Sequence, residues 1–151
     1  MTVHAEKAQM TADQLEPASV NVRIKISALW ATMLFVFAYV DLFSLYRPDV
    51  RADLEAGRLS AFTISQSFLL LTTAYVAIPA LMVFGTLVLR PGISRIANIA
   101  LSFLYALTIV GASIGEGNYY YLLGSAIEVA LLAAIAFYAW TWPRVVGLRA
   151  G

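Results

Sequence analysis

Four long apolar runs, none interrupted by a salt-bridged charge ladder, constrain this chain more than any other feature. A helix crossing about 30 Å of hydrocarbon needs roughly 20 mostly apolar residues. Four stretches meet that length: 24–46, 62–89, 96–114 and 119–142. A membrane barrel would show short alternating segments instead. A soluble bundle would carry a charged stripe on each helix. The expected fold is therefore all-α, a membrane-embedded four-helix bundle over 24–143. A disordered polar tail is expected over 1–23 and a short stub over 144–151. The second stretch is long enough to tilt, and Pro79 is expected to bend it.

Composition narrows the chemistry. Of 151 residues, 61% are hydrophobic and 13% charged, half the charged share of an ordinary soluble domain. A net charge of +1 gives no reason to expect a nucleic-acid partner. The absence of cysteine excludes disulfide generation and thiolate metal sites. The single histidine, His4, lies in the polar tail, so imidazole catalysis and haem ligation within the spans are excluded. No cofactor or metal is expected. The tail has no apolar core of the kind a secretory signal needs, so the first span is expected to act as its own insertion signal.

Orientation follows from Lys and Arg in the flanks. Lys7, Arg23, Lys25, Arg90, Arg95, Arg144 and Arg149 fall on one side of a four-span chain, against Arg47, Arg51 and Arg58 on the other. The expectation is that both termini are cytoplasmic. Trp30, Trp140 and Trp142 are expected to sit at the interface as aromatic anchors, and Tyr46 and Tyr119–Tyr121 to mark the outer boundary. In the outer connection, Pro48 to Glu55 followed by Gly57 reads as a short amphipathic helix resting on the membrane, or as a solvated connector.

Two acids fall within the spans. Asp41 is about 7 Å inside the outer end of the first helix, and Glu128 about 13 Å into the fourth, at 1.5 Å per residue. An ionised carboxylate near the bilayer centre costs about 2.5–3.5 kcal/mol. Arg47 can reach back towards Asp41. Glu128 has no cation at its depth and is expected to carry a proton. Gln66, Tyr75 and Tyr121 complete a candidate polar pocket with Asp41, Glu128 and Arg47. The pocket would take a proton, a cation or an amine; the alternative is that both acids are hydrogen-bonded glue between helices. Glu116, in a Gly-Glu-Gly-Asn turn, reads as solvated. Asn98 is expected to hydrogen-bond between helices. Gly111/Gly115 and Ala126/Ala130/Ala134 have the spacing of close helix packing, internal or in a dimer. Pro79 deprives the Tyr75 carbonyl of its donor, so a hydroxyl or water must serve it, and Thr72 and Thr73 are nearby.

Several strings carry a resemblance: Ser27-Ala28-Leu29-Trp30, Tyr39-Val40-Asp41-Leu42, Ile78-Pro79-Ala80-Leu81-Met82, Arg95-Ile96-Ala97-Asn98-Ile99, Asn118-Tyr119-Tyr120-Tyr121, Ala126-Ile127-Glu128-Val129 and Tyr138-Ala139-Trp140-Thr141-Trp142-Pro143. Together they resemble a family of small bacterial four-helix membrane proteins with no assigned function, and more loosely the DoxX-like group. The resemblance implies a multi-pass protein of the bacterial inner membrane. It also implies an acid before the Ile-Pro pair of the second helix, where this chain has Ala77, which weakens a proton relay.

Three readings of function stay open. The first is a non-enzymatic binding or accessory component whose partners are the lipid bilayer and a second copy or another membrane protein. The second is proton-coupled or cation transport around Asp41 and Glu128. The third is an enzyme acting on lipid or quinone; without a Ser/His/Asp set, two carboxylates would have to carry its acid–base chemistry.

Overall fold

The structure, a computed structural model, describes residues 20–59 and 61–142. The expected tail over 1–23 lies almost wholly outside the described residues, and the stub over 144–151 entirely so. The described part of the tail is already helical from Val22.

Four helices are long and apolar enough to cross a membrane. Helix α1 (Val22–Ser44) starts where the Asn21 side chain accepts the Arg23 backbone N–H. A short α2 (Pro48–Glu55) has proline at its first position, where a missing N–H costs nothing. Gly57, at φ 70°, turns the chain into a hairpin of β1 (Arg58–Leu59) and β2 (Phe62–Thr63), with Leu59 opposite Phe62. The Ser65 hydroxyl caps α3 (Gln66–Val88) by accepting the Phe68 N–H. Helix α4 (Pro91–Ser113) again opens on proline, and α5 (Tyr119–Trp140) follows a turn in which Gly115 has φ 84°.

Two boundaries differ from the sequence expectation. Phe62 and Thr63 pair in the hairpin, so α3 has 23 residues, the same length as α1, and the surplus that suggested tilting is absent. Helix α4 begins at Pro91, five residues before the expected Ile96. Its polar first turn is accommodated because Ser94 is buried against α3 and Arg95 reaches α5.

Helix α1 packs along α3 and α5, and α5 packs along α4, whereas α3 and α4 touch only sparsely. The sealed core lies towards the end of the molecule where the described chain begins and ends, here the terminal end. It is built from Ile26, Trp30, Met33, Met82, Leu132, Ile135 and Ala139, with Tyr105 and Ile109 above. At that end Arg23 donates to the Leu87 carbonyl (2.7 Å). Arg95 donates to the Ala139 and Trp140 carbonyls (3.2 and 3.1 Å). Both guanidinia thus satisfy open C-terminal carbonyls, of α3 and of α5.

Trp30 is no interfacial anchor. It is wholly buried, and its indole N–H donates to Asn98 Oδ1 (2.6 Å). Thr86 donates to the same oxygen, and Asn98 Nδ2 donates to the Ser94 carbonyl, so Asn98 joins α1, α3 and α4 as its burial in an apolar span required.

At the opposite, hairpin end, packing is looser. Helix α1 buries no residue fully beyond Met33, and α3 none before Pro79. Residues 69–74 of α3 are exposed all round, so two turns of this helix stand apart from their neighbours.

Candidate functional site

The small residue that governs the α1–α5 contact is Gly124. A Cβ there would run into the Val40 side chain, so the backbones approach where only hydrogen fits. Gly111 and Gly115 have open space around them, and Ala126 and Ala130 face outwards, so neither spacing marks internal packing.

The contact sets the depth of both acids. Asp41 follows Val40 directly and is level with Gly124. Glu128 is one turn past Gly124 on the buried face of α5, about 6 Å nearer the terminal end at 1.5 Å per residue. Asp41 is exposed, although Val40 and Ser44 on either side of it contact α5. Glu128 is only 3% exposed and makes no hydrogen bond or ion pair with a described residue. No described side-chain oxygen or nitrogen is both sealed off and unpaired. The Glu128 oxygens therefore open onto accessible space. A buried carboxyl without a bonding partner is costly in an apolar medium, which gives it a standing demand for a proton or a cation.

Arg47 does not reach Asp41. It binds Asp49 (2.6 Å) and Glu116 (3.2 Å) instead, forming a latch between the end of α1 and the α4–α5 turn. Glu116, expected to be solvated, accepts from Arg47 and from both the backbone and side-chain N–H of Asn118. The Asn118 bonds, and then Arg47, hold the Glu116 carboxyl below the usual carboxylate range; Arg47 lowers Asp49, and Asp49 above all raises Arg47. Ser44 and Tyr120 share a second bond across the same gap (2.9 Å).

Below the acids the Pro79 question is answered by α4. The Tyr105 hydroxyl donates to the Tyr75 carbonyl that Pro79 leaves open, while the Tyr75 hydroxyl pairs with Thr108 (2.6 Å). Thr72 and Thr73 bond only to carbonyls of their own helix. The two tyrosine rings lie 4.7 Å apart. They line an apolar groove with Met33, Leu34, Phe37, Val76, Pro79 and Ile109. Leu34, Phe37 and Asp41, spaced three and four residues apart, share one face of α1, with Asp41 nearest the hairpin end.

Of the residues predicted from sequence, Asp41, Glu128 and Tyr75 thus gather around one region. Tyr121 is half-buried seven residues, about two turns, from Glu128 on α5, and Gln66 is exposed at the start of α3. Arg47 belongs to the latch. Sequence reasoning missed Tyr105, Thr108 and Phe37; the demand of the Tyr75 carbonyl for a donor was the signal that could have led to Tyr105. Among the described residues no three Asp, Glu, His or Cys side chains gather as metal ligands would.

No curated protein and no solved structure matches the chain. One family model does match, over residues 19–146, which takes in all four long helices and both acids, and the chain belongs to that family, DUF6326, a family of unknown function.

Proposed function

We propose that the chain is a small, non-enzymatic membrane protein that binds a proton or a cationic group at Glu128, with Asp41 as the second acid at the mouth of the site. The observation that carries this reading is the burial of Glu128, 3% exposed and without a bonding partner among the described residues. Interhelical glue would show the bond that is missing here. The sealed terminal half favours a site with one opening over a through-passage, so binding takes precedence over transport. The excess of Lys and Arg at the terminal end supports a cytoplasmic terminal end, with the acids opening to the outer side of a bacterial inner membrane.

Infrared difference spectroscopy on bilayer-reconstituted protein, with Glu128→Gln as control, tests the reading. A carboxyl band that titrates with bulk pH and vanishes in the Gln variant supports it. A band that never responds, with wild-type stability kept in Glu128→Gln, would return Glu128 to the role of glue.

A further inference from the structure

Glu128 is open to a water molecule and to little else. Its carboxyl oxygens are not sealed, yet the residue as a whole is only 3% exposed, so the opening above it is a sliver. Asp41 of α1 is the charged group whose field reaches it, and both acids act in turn on Tyr75 of α3 and Tyr121 of α5. Helix α4 contributes Tyr105 beside Tyr75, with its hydroxyl committed to the Tyr75 carbonyl. Basic side chains at the hairpin end are engaged or remote. Arg47 is held by Asp49 and Glu116, Arg58 is held by Asp53, and Arg51 stands exposed on α2.

Resting on the reading of Glu128 as a group that demands a positive partner, we infer that this partner is a proton alone, with metal ions and amines excluded from the site. Coordination and space both argue for it. A metal cation entering the span must exchange its water shell for protein oxygens, about six of them for a hard divalent ion. Glu128 offers one carboxylate, and no three acids gather among the described residues. Asp41 lies about 6 Å nearer the hairpin end at 1.5 Å per residue. The hydroxyls of Tyr75, Tyr105 and Thr108 are turned to one another and to backbone carbonyls. An ammonium head is water-sized but carries several N–H donors, and a lone carboxylate leaves some of them without acceptors in an apolar span. The groove beside Pro79 gives such a ligand no seat. Its volume, about 10 Å³, is that of one water, and neither acid lines it. A proton needs neither room nor a coordination shell. It turns the carboxylate into a neutral acid, which removes the charge whose burial is costly.

Infrared titration of the protein in phosphatidylcholine bilayers tests the inference when repeated at rising sodium, potassium, calcium and ammonium. Ionic strength is held constant with N-methylglucamine chloride, whose cation is too large for the opening. The Glu128 band is identified by its loss in Glu128→Gln and its persistence in Asp41→Asn. The expected result is one and the same titration midpoint in every salt. A cation that competed with the proton would favour the ionised carboxylate. It would lower the midpoint by about one pH unit for each tenfold rise in its concentration above its Kd. Such a shift with any of these ions overturns the inference while leaving Glu128 as a cation site. Radiolabelled methylammonium retained by the wild type and released in Glu128→Gln would overturn it as well. A band silent to pH in every salt fells the reading of Glu128 itself, and the inference with it.

Discussion

At the scale of single residues, Gly124 offers the sharpest contrast. Replacing a mid-helix glycine by alanine ordinarily stabilises a helix by about 0.8–1 kcal/mol. That gain is expected at Gly111, where a Cβ meets nothing. At Gly124 the sign should reverse, because the new methyl collides with Val40 and overpacking costs about 1–3 kcal/mol. Equilibrium unfolding in mixed micelles would show Gly111→Ala at or above wild-type stability and Gly124→Ala below it, with Val40→Ala recovering most of the loss. Equal effects at the two glycines would mean that α1 and α5 do not meet there. The sequence could not single out Gly124, since its spacing with other small residues was less regular than that of Gly111 and Gly115. Asn98 was legible, because an amide in an apolar span must be buried and bonded. Trp30 was not: a tryptophan near a helix end suits an interface or a core equally, and only the position of Asn98 on another helix decides.

At the scale of elements, the bond across Pro79 couples α3 to α4. Tyr105→Phe would strip the Tyr75 carbonyl of its donor, a loss of about 1–3 kcal/mol for a buried acceptor. Pro79→Ala restores a backbone N–H that can reach that carbonyl from within α3. Tyr105→Phe should therefore cost much less in the Pro79→Ala background, with a coupling of about 1 kcal/mol in a double-mutant cycle followed by unfolding. Identical costs in both backgrounds would show that the hydroxyl serves packing rather than the carbonyl. The need for a donor was visible in the sequence, because proline removes a known hydrogen bond. Its source was not, since the nearest hydroxyls in sequence, Thr72 and Thr73, turn back on their own helix. Element boundaries failed for a related reason. Phe62 and Ile64 put apolar side chains just ahead of α3, and the pairing of Leu59 with Phe62 takes Phe62 out of the helix.

At the scale of the whole molecule, the four long helices were legible because the bilayer leaves backbone polar groups few solutions. The uneven packing was not legible. Hydropathy does not distinguish the half of α3 that packs from the half over 69–74 that stands free, since both halves are apolar in sequence. On the proposed binding reading, that asymmetry gives the acids an open side, and its direction across the membrane would decide which side supplies a cation. On the proposed topology the hairpin end faces outwards, and Arg23 and Arg95 have a second role that does not depend on it, since they close the C-terminal ends of α3 and α5. The chain has no cysteine, so single cysteines report position without background. Ala56→Cys sits in an exposed position beside the hairpin, and Gly92→Cys is exposed at the start of α4 with open space around it. A membrane-impermeant maleimide applied to intact spheroplasts is expected to label Ala56→Cys at once and Gly92→Cys only after permeabilisation. The reverse pattern would turn the cleft towards the cytoplasm. Asp41 and Glu128 would then draw their cation from the inner leaflet, and the arginine caps would remain as structural features independent of topology.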